Sequence, residues 1–241
     1  MERIMILPKY TANPEFNSKY ITQLLDNYRS HEAILSFPNV EFYDGKLRAR
    51  GDPAIVDSAC QWSMLPTKNF PIILHSVLGN CSKDKDSFSF YNLAEVKEVT
   101  NYVIQLLSRG ISGRKVSPTD IGIVSSYKAQ RTKLKYAFKK FRGIEIGTAE
   151  YYQGREKMII IITTVRSGNI IEFFEDARRL NVALTCAKCL IILVCNPVTL
   201  QEDEMWESFI DYCNRNNAIV GDIFDVKASG LNVIEKFVDE F

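Results

Sequence analysis

The chain has 241 residues, 46% hydrophobic and 24% charged, a core-forming balance that excludes a disordered tail, a collagen-like rod and a disulfide-stapled miniprotein. Thirty Lys+Arg against 29 Asp+Glu leave a net charge of +1, so bulk charge names no partner. No apolar stretch of about 18 residues occurs to span a membrane. Met1 to Leu7 lacks a small-residue cleavage site, which argues against a secretory signal. Six cysteines without a framework spacing fit a reducing compartment.

Residues 1–69 read as an irregular elaboration: Ser18 to Asp26 predicts a short helix, and Pro38, Gly45, Gly51, Pro53 and Pro66 break up the rest. From about residue 70, short β-branched runs alternate with amphipathic stretches. Ile72 to Val77 predicts a strand. Asn92 to Ser108 predicts a helix with Val96, Val99, Val103, Ile104 and Leu107 inward. Strands follow at Ile121–Val124, Ile144–Ile146, Met158–Thr164 and Leu190–Cys195. Helices are expected at Lys128–Phe141, Asp176–Lys188 and Glu202–Asn214. Near-continuous aliphatic strands between helices predict an α/β fold: a mostly parallel sheet over residues 70–220 with helices on both faces. An amphipathic extension, Leu231 to Phe241, closes residues 221–241.

Charge is distributed in blocks. Arg109 to Arg142 holds ten bases and one acid; Thr199 to the end holds ten acids and three bases. On the helix from Lys128, cations at 128, 131, 135, 139 and 142 fall on one side, with Leu134, Ala137, Phe138 and Phe141 on the other. Such a cationic face suits a phosphate backbone; it also suits a plain solvated surface.

Several chemistries lack their residues. No G-x-x-x-x-G-K-[ST] loop, no strand-following G-x-G-x-x-G and no G-x-S-x-G elbow exists. Asp203-Glu204 reads as the first turn of a helix rather than a metal pair. Two histidines, His31 and His75, cannot make a three-histidine zinc site. Cys186-x-x-Cys189 reads as structural, with redox and zinc roles as the alternatives; no metal is expected in this chain. What remains is an α/β body with a cationic face and an incomplete active site.

Four blocks account for that incompleteness: Asp26-Asn-Tyr-Arg-Ser-His31, Ile121-Gly-Ile-Val-Ser-Ser-Tyr-Lys-Ala-Gln130, Gly147-Thr-Ala-Glu-Tyr-Tyr-Gln-Gly-Arg-Glu156 and Arg178-Arg-Leu-Asn-Val-Ala-Leu-Thr-Cys-Ala-Lys188. In this order they resemble the second RecA-like domain of superfamily 1 helicases of the nonsense-decay branch. Phe42-Tyr43-Asp44, Val165-Arg166-Ser167, Asn196-Pro197 and Trp206…Tyr212-Cys213 are similar to the Armitage and Moloney-leukaemia-virus-ten-like RNA-silencing members. The resemblance implies the closing half of an ATP site. The phosphate loop and magnesium acids would belong to a first RecA-like domain of the same polypeptide.

It also implies roles residue by residue. Tyr28 stacks on adenine and Arg29 reaches the γ-phosphate; Gln153 and Glu156 link nucleotide to RNA, Glu156 near the ribose or catalytic water. Ser125, Ser126, Tyr127, Thr148 and Arg166 grip RNA phosphates. Ser125 or Ser126 as a helix cap is the structural alternative. Cys186 departs from the family, standing where an arginine finger is expected; Arg178 or Arg179 are candidate substitutes. The implied protein is a monomeric, cytoplasmic or RNA-granule, 5′-to-3′ RNA helicase using ATP and Mg²⁺ in small-RNA (piRNA) silencing with other pathway proteins. A hydrolysis-impaired RNA clamp or a protein-recruiting scaffold is the alternative. The strand tips are expected to present nucleotide and RNA sites along one shared edge.

Overall fold

The computed structural model describes residues 19–167 and 177–226. Six strands form its central sheet: β3 (Ile72–Ser76), β6 (Ile121–Val124), β7 (Glu145–Gly147), β8 (Lys157–Thr163), β9 (Ala187–Cys195) and β10 (Ile219–Gly221). Their order is β10-β3-β9-β8-β6-β7 and every pairing is parallel. The expected α/β architecture with a parallel sheet is therefore present, and it matches a RecA-like core.

The aliphatic runs are continuous because both faces of the sheet are buried, and the two-residue strand period deals them into two cores. Ile72, Leu74, Ile160, Ile162, Ile191 and Leu193 face one core. Ile73, Ile121, Ile123, Ile159, Ile161 and Ile192 face the other. The first is covered by α1 (Glu32–Tyr43), α6 (Ala177–Thr185) and α8 (Glu204–Arg215), through residues such as Phe37, Leu180 and Phe209. The second is covered by α3 (Leu93–Arg109) and α4 (Lys128–Ala137), through Val99, Val103, Leu106 and Leu134. Shorter pieces complete the chain: β1 (Asp26–Asn27), β2 (Arg48–Ala49), α2 (Pro53–Val56), the hairpin β4 (Ser82–Lys83) and β5 (Phe90–Tyr91), α5 (Ala149–Tyr152) and α7 (Pro197–Leu200).

Several local expectations are corrected. Asp26 does not end a helix: it opens β1, which pairs in parallel with β2 and is flanked by Arg48 N–H to Leu25 O at 2.8 Å. Tertiary pairing overrides local propensity there. Conversely α1 forms straight through Pro38, because burial of Ile34, Leu35, Phe37 and Pro38 outweighs the backbone bond that proline forfeits. On α3 the inward face is Glu95, Val99, Tyr102, Val103 and Leu106, while Ile104 is exposed. Helix α4 stops at Ala137, with Phe138 buried but Ala137 and Phe141 outside. Residues 231–241, with their expected amphipathic extension, lie outside the described residues.

Gly122 in β6 is required sterically. A Cβ there would lie 2.7 Å from the Tyr152 hydroxyl and 2.8 Å from Ile160 Cδ1. Gly122→Ala is expected to cost about 1–3 kcal/mol through overpacking, read as a lower urea midpoint with unchanged slope; a midpoint equal to the parent's would show that Tyr152 yields freely.

Candidate functional site

Tyr28, Arg29, Glu156 and Cys186 come together at the amino ends of β8 and β9. Segment 27–31 is fastened along the start of β9: Arg29 donates from a guanidinium nitrogen to Thr185 O at 3.2 Å, Ser30 Oγ to Ala187 O at 2.8 Å, and His31 N–H to Lys188 O at 2.9 Å. The Asn27 side chain accepts from Arg29 N–H and Ser30 N–H, making the tight turn that lifts Tyr28 outward. Tyr28 is 74% exposed, so its ring is no core aromatic.

Glu156 accepts from Arg29 Nε at 2.8 Å and is paired with Lys188 Nζ at 2.7 Å. The Lys188 hydrogen bond, then that of Arg29, holds its carboxyl below the usual range against the opposing effect of burial. Together with Asp26, Asn27, Tyr28, Arg29 and Lys188, Glu156 lines an open cleft of about 370 Å³. Partial exposure of these pairs means they add little stability; what they fix is two cations beside an outward aromatic ring. Lys188 carries no family role in the sequence reading, although it ends the fourth block. Gln153 is exposed at the end of α5 and does not line the cleft. Gly154 beside it holds φ of +78°, a conformation suited to glycine.

Cys186 sits between α6 and β9 and is 2% exposed. Its Sγ donates to Tyr152 O at 3.3 Å, and burial pushes the thiol up to about 11, with nearby Arg29 opposing. It is a neutral, packed thiol at the edge of the cleft. Arg179, a candidate substitute, is ion-paired with Glu150 at 2.7 Å and lies seven residues before Cys186, about 10 Å along a helix. The zinc reading of Cys186 and Cys189 fails on geometry. The two thiols belong to opposite cores of the sheet.

The expected RNA-binding residues occupy the other ends of the strands. Ser125, Ser126 and Tyr127 follow β6, Thr148 follows β7 and Arg166 follows β8. The shared edge expected from sequence is therefore corrected. Glu156 and Arg166 flank β8 on either side, and Lys157 to Thr163 alone spans roughly 20 Å at ~3.3 Å per residue. The side chains of Ser125 and Ser126 do not cap α4: its N-cap is Tyr127, and both serine hydroxyls are buried without a partner among the described residues. Arg131 turns inward, donating to Ser125 O at 2.9 Å and Ser126 O at 2.6 Å, so it shapes this loop instead of joining the exposed cationic face. Thr148 caps α5 by accepting from Tyr151 N–H at 3.3 Å.

Beneath these loops lies a polar core the sequence did not announce. Glu95 is fully buried and accepts from Thr163 Oγ1 and from Val165 N–H at 2.9 Å. Gln130 donates to Thr163 Oγ1 at 2.9 Å and accepts from Asn92 N–H at 3.0 Å. The network holds Val165 at φ of +73°, unusual for a β-branched residue, and so fixes where Arg166 leaves the strand. Burial raises the Glu95 carboxyl to about 7 despite the bonds from Thr163 and Val165.

His31, Asp57 and Cys60 form the one cluster of three ligand-type side chains found among the described residues. His31 Nδ1 accepts from Ala33 N–H at 3.0 Å, which leaves the ring proton on Nε2, facing Cys60 Sγ at 3.3 Å and Asp57 at 3.6 Å. With no lone pair on Nε2, the cluster is a helix cap and not a metal centre.

Comparison with known proteins gives the family. The family model described as "AAA domain" matches residues 9–198. The chain belongs to this family. It is 39% identical to mov-10-B.1 of Danio rerio over 86% of its length, and 34% identical to the RNA helicase Mov10l1 of Mus musculus over 92%. To regulator of nonsense transcripts 1 of Caenorhabditis elegans it is 33% identical over 77%. It spans 22%, 20% and 18% of these relatives respectively. The chain is thus a RecA-like AAA domain related to the Mov10 proteins and to regulator of nonsense transcripts 1.

The buried acid gives a pH test. A carboxyl raised from 4.5 to about 7 binds its proton more tightly when folded, so its stabilising contribution is complete below pH 4.5 and is lost as pH rises through 7. Glu95→Gln removes this titration and leaves an amide that cannot serve the same donors, at a cost of about 1–3 kcal/mol. The stability difference between parent and variant, from urea unfolding at successive pH values, is expected to shift in the variant's favour from pH 4.5 to 7. A flat difference would contradict it.

Proposed function

We propose that this chain is the second RecA-like lobe of an ATP-dependent RNA helicase, closing over a nucleotide held by a first lobe and gripping single-stranded RNA along its own opposite end. The observation that supports it best is the convergence of Tyr28, Arg29, Glu156 and Lys188 from three separate sequence blocks onto one open cleft. An outward ring beside two fixed cations fits the flat base and the phosphates of a nucleoside triphosphate. ATP with Mg²⁺ supplies the hydrolysable phosphoanhydride when bound. Arg29, already oriented by Glu156 and Thr185 O, is the guanidinium positioned to meet phosphate charge.

At the far end, the loop holding the buried Ser125 and Ser126 hydroxyls adjoins Thr148 and Arg166 on neighbouring strand ends, and this loop surface is the one that meets RNA phosphates. Backbone contacts of this kind give little base preference and strong salt dependence. We assign 5′-to-3′ translocation, a role in small-RNA (piRNA) silencing, cytoplasmic or granule location and a monomeric state on the family resemblance and the likeness to Mov10l1.

One observation favours a slower enzyme, a clamp that binds ATP and RNA. A neutral, buried thiol at residue 186 carries no charge to transferring phosphate, where an arginine finger is worth about 10³–10⁵ in rate. In the protein expressed together with its first lobe, Cys186→Arg is expected to raise the single-turnover ATPase rate by about tenfold or more, with RNA affinity unchanged. An unchanged rate would refute the limit at this position. Absence of RNA-stimulated ATPase in both proteins would refute the helicase assignment.

A further inference from the structure

The β4–β5 hairpin takes no part in either face described so far. Ser82 pairs with Tyr91 and Lys83 with Phe90, and the tip closes with Asp84 N–H to Ser89 O at 2.8 Å. At the tip Phe88 holds φ of +52° and is 72% exposed. A bulky residue in the left-handed region costs about 1–3 kcal/mol, and a ring 72% exposed returns little of it through burial. Folding alone does not account for this residue.

Cations and rings surround it. Lys83 Nζ lies 5.4 Å from the Phe88 ring centre and 5.9 Å from that of Phe90. The Arg166 guanidinium covers Phe90 at 4.1 Å, and Phe90 meets Tyr127 edge to face at 6.0 Å. Lys133 of α4 covers Tyr91 at 3.9 Å. The hairpin acid Asp84 is turned into its own loop, accepting from Ser87 N–H at 3.0 Å and Ser87 Oγ at 2.6 Å; Lys85 and Asp86 offset each other in charge at the exposed tip. Ser89 Oγ accepts from Ala129 N–H at 3.2 Å, pinning the hairpin to the first turn of α4 beside the Ser125–Ser126 loop. The platform therefore continues directly from the carboxyl-end face.

We propose that this hairpin is a base-stacking site for single-stranded RNA, with Phe88 the ring a base covers and Lys83 and Arg166 the cations beside the adjoining phosphates. The inference rests on the RNA-binding reading above and adds to it a contact with bases, which the hydroxyl loops do not make. Alternating rings and cations match a strand whose bases and phosphates alternate, and stacking of this type tolerates any base. A protein partner would find little continuous apolar surface here, since each ring except Phe88 is already covered by a cation or another ring.

The test is equilibrium binding of the chain to fluorescein-labelled oligouridine and to an abasic ribose-phosphate oligomer of equal length. Phe88 is exposed, so Phe88→Ala does not threaten the core. Stacking is worth about 1–3 kcal/mol per base. Phe88→Ala is therefore expected to weaken oligouridine binding about 5- to 150-fold, to leave abasic binding unchanged, and to be rescued by Phe88→Trp. Oligouridine affinity within twofold of the parent would overturn the proposal and leave the hairpin to a protein partner. Equal loss for both oligomers would overturn it in favour of a charge effect. Failure of the parent to bind either oligomer would overturn the RNA-binding reading itself, and this inference with it.

Discussion

The candidate cleft depends on how segment 27–31 is tied to the start of β9. Three hydrogen bonds to the carbonyls of Thr185, Ala187 and Lys188, with Glu156 bridging Arg29 and Lys188, bring distant parts of the chain into register. Most of these acceptors are backbone atoms, so the docking survives changes in neighbouring side chains. Arg29, Ser30 and His31 bond inward to the start of β9, while the Tyr28 ring is directed to solvent. The carboxylate of Glu156 balances two cations that would otherwise repel each other across the cleft.

The sheet then separates two chemistries by its own length. Its amino end at β8 and β9 carries the ion cluster, while the carboxyl ends of β6, β7 and β8 carry hydroxyls, backbone amides and Arg166. Strand β8 is flanked by a member of each group. The charge blocks read from sequence also acquire places. The basic stretch surrounds β6, α4 and β7 at one edge of the sheet, and the described part of the acidic stretch, residues 199–226, surrounds α8 and β10 at the other. A net charge of +1 thus conceals a polarised molecule.

Much of this was legible in sequence where local and global signals agree. The aliphatic strands announced a parallel sheet because only a doubly covered sheet buries every residue of Ile159 to Ile162. The grouping of Tyr28, Arg29 and Glu156 was legible because all three fall in blocks that carry the family resemblance, and the fold brings those blocks to one cleft. The helix through Pro38 was not, since its stability comes from packing that local rules do not count. Glu95 was hidden because an acid on an amphipathic helix normally marks the wet face, and only its donors from Thr163 and Val165 explain its burial. The hairpin lacks alternating hydrophobicity and a two-residue turn signature, so Phe88 and Phe90 gave no periodic signal. Which strand end holds which group follows from whether a residue precedes or follows its strand in a parallel sheet, a signal the sequence carried: Glu156 precedes β8 and Arg166 follows it.

The separation of the two faces is most directly measured by photo-crosslinking the protein, joined to its first lobe, with 8-azido-ATP and with 4-thiouridine-containing RNA in the same mixture. The account predicts the nucleotide label on the peptide holding residues 26–29, and RNA labels on peptides holding 125–131, 148 or 165–167. A nucleotide label at 125–131 or 165–167, or an RNA label at 26–29, would contradict it.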